Sequence, residues 1–500
     1  MDVKGVGTAA SVSVQALIDM RNQLTDLQRQ LGTGEKSVTY AGLGLDRGLT
    51  VGLRNQLSAI DGYQAAITQG GVRLDVAQTA LSQITSLAQS AKTTALTSLF
   101  KLNGGSSTPD QTTALSQFDQ VLSLLNTKSG DRSLFSGRDV DQPAVETSDH
   151  ILNGFAGRAG LKQMIDERHQ ADLGASGLGR LVVSSPTATS VAVTEDAVSP
   201  FGFKLAGVNS TLSGATITGP SAPPASIGVD LGATNPSNGQ TLRLTFTLPD
   251  GSSQDLTLTA TTSATPGPGQ FTIGPSSAAT ATNLSAALTQ SLGTLASTAL
   301  SAASAVAAGN NLFNTDDANP PQRVAGPPFN NATALVDGTS ANTVSWYTGD
   351  AGSDPARSTA IAQADRTLTV SYGMRANEQA LRNTVQSIAV FAAMSFSASD
   401  PNAEGAYAAL RQRTAMVLAG QPNQQKISDI QGELAGAQTA LASTKDRHQQ
   451  AGSALEELLQ QVQGAPNEEV AAKILMLQTS LQATLQTTAL LLKTSLINYL

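Results

Sequence analysis

The sequence predicts an α+β fold in which long helices from the two ends of the chain form a coiled stalk and a β-rich α+β domain is inserted between them. Three observations predict it. Near both ends, apolar residues recur every three or four positions, as on one buried face of a helix. From about residue 180 to 350 the composition shifts to Ser, Thr, Gly, Pro and Val, and apolar and polar residues alternate as in half-buried strands. That shift is entered once and left once, so the middle reads as one continuous insertion. The expected parts are an N-terminal helical half at 1–175, the inserted domain at 176–350 and a C-terminal helical half at 351–500.

The first helix carries Val14, Leu17, Met20, Leu24, Leu27 and Leu31 on one seam, and "GTG" at 32–34 stops it. A Gly-rich loop at 39–49 follows. A long helix is then expected over roughly 50–100, with Leu74, Ala77, Leu81, Ile84, Ala88, Ala91 and Ala95 in register and Gly70-Gly71 as a candidate kink. "STPD" at 107–110 starts the next helix, with a hydroxyl cap, Pro at the first helical position and an acid in the first turn. In the middle, "TLRLTFTLPDGSSQDLTLTA" at 241–260 is a hairpin turning at Pro249-Asp250-Gly251. The segment 276–297 is an amphipathic helix packed on those strands, and "NPPQRVAGPPFNN" at 319–331 is a loop. Toward the C-terminus, 375–396 reads as helix, and a capped helix starts near 399–405. Ile427, Ile430, Leu434, Ala437 and Leu441 mark another helix, and "QGAPNEEV" at 463–470 interrupts.

The last helix places Leu477, Leu481, Leu485, Leu492 and Leu496 on an eleven-residue period, close to a straight seam. It is no membrane span, because Gln478, Gln482, Gln486, Lys493 and Asn498 interrupt every window of sufficient length. An apolar stripe needs cover. The first and last helices are therefore expected to lie side by side, with Leu17, Leu24, Leu27, Leu31 and the five C-terminal leucines as a seam for subunit packing.

The composition narrows the function. The 500 residues contain no Cys, which removes disulfides, thiol catalysis and Cys-based zinc sites. Net charge is −8 with no basic run, so nucleic acid is not an expected partner. The N-terminus lacks the apolar core of a secretory signal, so export, if any, uses a route that cleaves none.

"LQRQLGTGEKS" (27–37) and "LRNQLSAIDGYQAAITQGGVRLDVAQTALSQITSLAQSA" (53–91) resemble the N-terminal region of bacterial flagellins and hook-associated protein 3, and 425–500 resembles that family's C-terminal partner. These stretches stand toward both ends of the chain. Two shorter ones favour hook-associated protein 3. "RSLFSGRDVDQPAV" (132–145) is similar to its Phe-Ser-Gly motif, here Leu134, Phe135, Ser136 and Gly137, and "SWYTGD" (345–350) is similar to the stretch before its return to the helical half. The resemblance implies an axial structural subunit of the flagellum, needed for motility and exported unfolded by the flagellar type III apparatus to an extracellular position. The implied partners are copies of itself, hook-associated protein 1, flagellin and an export chaperone at the C-terminal helix. Filament flagellin itself stays open as the alternative, and a coiled-stalk adhesin or binding module as a remoter one.

Nothing positive supports an enzyme, a cofactor or a metal. His150, His169 and His448 are the only histidines. "DERHQAD" at 166–172 has no second His at helical spacing and reads as a solvated helix face. "GLGLDRG" at 42–48 has the wrong spacing for a dinucleotide loop, and "GASGLG" at 174–179 fails as a nucleophile elbow.

Overall fold

A computed structural model describes residues 4–221, 223–315 and 319–497; the side chains of 4–10, 13, 491, 492 and 494–497 fall outside that description. In chain order the helices of the N-terminal half are α1 (Lys4–Thr33), α2 (Arg47–Thr97), α3 (Pro109–Leu125), α4 (Ser148–Asn153) and α5 (Leu161–Leu173). The middle holds α6 (Ser277–Leu295) and α7 (Ser301–Phe313), joined by a π-turn at Ala296–Leu300. The C-terminal half holds α8 (Gln379–Ala393), α9 (Ala403–Leu418), α10 (Ile427–Gln463) and α11 (Asn467–Ile497). The α+β class is as expected, with long terminal helices around a strand-rich centre.

Local sequence explains where these helices start and why they continue. Thr108 caps α3 through its hydroxyl, Pro109 takes the first position, and Gln111 closes a capping box. Gln111 then donates from Nε2 to the carbonyls of Phe391 and Met394, tying the start of α3 to the end of α8. Helix α2 runs unbroken through Gly70 and Gly71. Each Gly costs a helix about 1 kcal/mol, and the flanking Ile67, Leu74, Ala77 and Leu81 are all buried, so packing outweighs it. The cap expected for α9 is absent: Asn402 makes no side-chain cap bond, and Asp400 Oδ1 instead accepts from the Asn402 N–H at 2.9 Å.

The strands are β1 (Lys128–Ser129), β2 (Arg132–Ser133), β3 (Leu181–Ser184), β4 (Ser190–Glu195), β5 (Lys204–Ser210), β6 (Thr216–Thr218) and β7 (Ser226–Asp230). They continue with β8 (Thr241–Thr247), β9 (Ser253–Thr261), β10 (Gln270–Thr272), β11 (Gln322–Val324), β12 (Leu335–Asp337), β13 (Ile361–Gln363) and β14 (Thr369–Ser371). Two four-stranded sheets, ordered β10-β9-β8-β5 and β3-β4-β7-β6, share one core with α6. The hairpin expected at 241–260 is β8–β9, in register from Thr241↔Thr259 to Thr247↔Ser253. Its alternation buries Leu242, Leu244 and Phe246 against Leu284, Leu288 and Leu292 of α6. The segment 319–331, expected as a loop, contains β11, which pairs with β12; three residues between prolines are too short a run for an alternation signal. The span Ser277–Phe313 is long and apolar enough to cross a membrane, but two-thirds of its most apolar window (67%) is buried in the fold.

The chain divides into two compact units, residues 1–69, 363–370 and 439–500, and residues 70–362 and 371–438. In the second, α5 departs from the solvated face expected for 166–172. Glu167, Arg168 and Asp172 are buried. Arg168 pairs with Asp172 at 2.8 Å and lies over the Phe201 ring, Glu167 pairs with Arg323, and Asp172 accepts the Gly202 N–H. Partners supplied by distant segments make such burial tolerable, and no local pattern announces them.

Candidate functional site

Two places gather what the sequence singles out. The first is the pair α1–α11, in the unit containing both chain ends. Gly34 takes φ +70 and ends α1. There the Ala465 N–H donates to the Gly34 carbonyl and the Lys36 N–H to the Gln463 carbonyl, each at 2.8 Å. Lys36 Nζ donates to the Val462 carbonyl, also at 2.8 Å. These bonds seat the end of α1 on the turn between α10 and α11 and so fix the register of the pair.

From that anchor Leu24 and Leu27 pack on Ala465, Val470 and Ile474. Leu17, Leu477 and Leu481 are half-buried. Leu31 and Leu485, expected on the same seam, are 42% and 49% exposed. The side chains of Leu492 and Leu496 lie outside the described residues. Sequence reasoning missed a second set: Val12, Ile18, Leu475 and Met476 are exposed on these two helices. The signal was present, because Ile18 follows Leu17 and Leu475 follows Ile474, but a single-stripe reading discards an apolar residue beside the stripe. The pair thus covers one apolar face and leaves other apolar residues exposed in the single chain.

The second place lies in the other unit, where the Phe-Ser-Gly motif meets two segments remote in sequence. The Asp350 N–H donates to the Ser136 carbonyl at 2.8 Å, the Gly137 N–H to the Met374 carbonyl and the Ala376 N–H to the Phe135 carbonyl. Phe135 and Trp346 are fully buried, and Trp346 Nε1 donates to the Phe313 carbonyl. The Asp350 carboxylate pairs with Arg375 at 2.7 Å, and Arg375 also donates to the carbonyls of Gly352 and Asp354. "LFSG" and "SWYTGD" are therefore two sides of one junction. Arg375 is the member the sequence reading missed; it stood within a segment read as helix, while α8 in fact begins only at Gln379. Burial pushes the Tyr347 hydroxyl well above its ordinary pKa, so it stays a donor, here to the Asp350 carbonyl at 3.1 Å.

Gly137 sits at φ +68, and a Cβ there would stand 2.9 Å from the Asp350 Cβ. Gly137→Ala is expected to destabilise this unit by about 1–3 kcal/mol. Gly130→Ala is the comparison, since φ is +62 there with open space around it. Urea melts of the two variants should differ by the clash alone, and equal midpoints would show that the junction yields.

The histidines do not assemble. His150 bonds Glu146, His448 bonds the Ala364 carbonyl, and His169 faces a separate cleft. Among the described residues no three His, Asp or Glu side chains are grouped to hold a metal.

Paired end helices that carry exposed apolar residues, and a strand-rich centre with a hydrogen-bonded junction at its ends, are the two features to set beside known proteins. Residues 8–139, which run from within α1 through the Phe-Ser-Gly motif, match the family model for the bacterial flagellin N-terminal helical region. That family consists of structural, non-enzymatic proteins exported to self-assemble into the extracellular flagellum. No curated protein matches the chain.

Proposed function

We propose that this chain is an axial structural subunit of the bacterial flagellum placed at the junction between hook and filament, the position of hook-associated protein 3. The observation that carries the junction reading is the meeting of Leu134–Gly137 with 345–350, where the Asp350 N–H donates to the Ser136 carbonyl and the Asp350 carboxylate pairs with Arg375. Both stretches resemble that protein, and they form one structure although some 200 residues separate them. Its partners in this reading are further copies, hook-associated protein 1, flagellin, and an export chaperone that covers α11 before assembly. The filament is the second reading, favoured by the open apolar faces on α1 and α11, which serve a continuous helical lattice equally well. Electron microscopy of the purified, refolded protein above micromolar concentration separates the two. Monomers or short oligomers are expected, and long filaments would replace the junction by the filament.

In the same reading the inserted region is a domain of its own. Every buried member of its core falls between Leu181 and Ala303. The fragment Arg180–Asp350 is expected to unfold cooperatively with mixed α/β circular dichroism. It should melt below the intact chain, because α7 also packs on α5, α8 and α9. A random-coil spectrum would show that the core does not stand alone.

A further inference from the structure

A cleft in the second unit has no part in the assembly reading. It has two lobes, of about 470 and 580 Å³, which share Ser106, His169, Ser301, Met394 and Ser395. Its volume is in the range of small-molecule sites. One wall is the face of α5 carrying Lys162, Asp166 and His169, spaced as neighbours on a helix. The lining of both lobes also includes Ser301, which follows the π-turn that interrupts the α6–α7 helix. Such turns re-aim side chains and recur at functional sites.

The lining chooses among ligand classes. A cation is disfavoured, since no three ligating side chains are grouped among the described residues. An anion would face two carboxylates, Asp166 and Asp400, against the single cation Lys162, whose Nζ also donates to Asn153 Oδ1 at 2.8 Å. An apolar ligand would strip water from the serine hydroxyls of both lobes without replacing its hydrogen bonds. A neutral molecule rich in hydroxyls satisfies them, and a carboxylate such as Asp166 accepts two hydroxyl protons side by side. His169 lines both lobes, with its Nε2 turned away from solvent and without a hydrogen-bond partner among the described residues, so Nε2 is not counted among the ligand-binding groups. Burial holds its pKa below the ordinary histidine value, so the ring is neutral at neutral pH.

We propose that this cleft binds a neutral polyhydroxylated ligand of the size of one or two sugar rings, with Asp166 and the serine hydroxyls as its principal hydrogen-bonding groups. The test is saturation-transfer NMR on the full chain with glucose, galactose, mannose and N-acetylglucosamine, each at millimolar concentration. At least one should receive saturation. Asp166→Asn should weaken its binding by about tenfold, the worth of one charge-assisted hydrogen bond. Ser395→Trp should abolish binding by filling the cleft. Both positions are exposed, so the variants should keep the parent melting temperature. Absence of transfer to all four sugars would overturn the proposal, as would transfer that survives both substitutions in folded protein.

Discussion

The double variant Leu475→Asp, Leu485→Asp is expected to fold and to be exported, but not to assemble. Leu475 is 64% exposed and Leu485 is 49% exposed in the single chain. A carboxylate at such positions stays in water, where surface changes usually move stability by no more than about 0.5 kcal/mol. An axial assembly would bury those faces. Each then becomes an unpaired carboxylate in an apolar contact, at about 3 kcal/mol or more. The penalty recurs in every subunit around the circumference, so it multiplies rather than averages out. The expected result is a non-motile cell with folded subunit free in the medium, and purified variant with the parent melting curve. Normal swimming would mean that these faces do not hold the assembly. A lost melting transition would mean that they belong to the core of the single chain.

The contrast between Leu24 and Leu485 shows how far periodicity reaches. Both lie on seams with three- and four-residue steps, and the pattern correctly indicates helix in each case. Leu24 packs against Ala465, Val470 and Ile474, where the bonds at Gly34, Lys36 and Ala465 bring α11 alongside, whereas Leu485 is 49% exposed. A seam states that cover is needed and is silent about who supplies it. The buried charges of α5 were illegible for a related reason. Arg168, Glu167 and Asp172 look like a polar face, and their burial depends on Phe201, Arg323 and Gly202, which only the tertiary fold brings near. The start of α3 and the β8–β9 hairpin were legible because Thr108-Pro109 and Asp250-Gly251 act on their own neighbours. The Phe-Ser-Gly junction falls between these cases: two of its three segments stood out in the sequence, and Arg375, which joins them, did not.

Asp350→Ala should be the most damaging single substitution in that junction. Arg375 and Asp350 have side chains only 7% and 13% exposed. Removing the carboxylate leaves a buried guanidinium with two backbone carbonyls and no counter-charge, a loss of about 3–5 kcal/mol. Burial alone would raise the Asp350 pKa. The Gly352 N–H and Arg375 outweigh it and hold the carboxyl below its ordinary range. A depressed folded-state pKa fixes the sign of the pH dependence. The pair's contribution is fully present above the unfolded value of about 3.9 and is lost as the pH falls through the lower folded value. The gap in melting temperature between parent and Asp350→Ala should therefore be constant from neutral pH down to about pH 5 and narrow below about pH 4. Arg375→Ala should cost less, because Asp350 keeps the Gly352 N–H. Thermal melts of the three proteins across that range supply the measurement. A gap that is small at neutral pH, or that widens in acid, would show that the three segments are held by their backbone bonds and by the packing of Phe135 and Trp346, and that the ion pair is incidental to the junction.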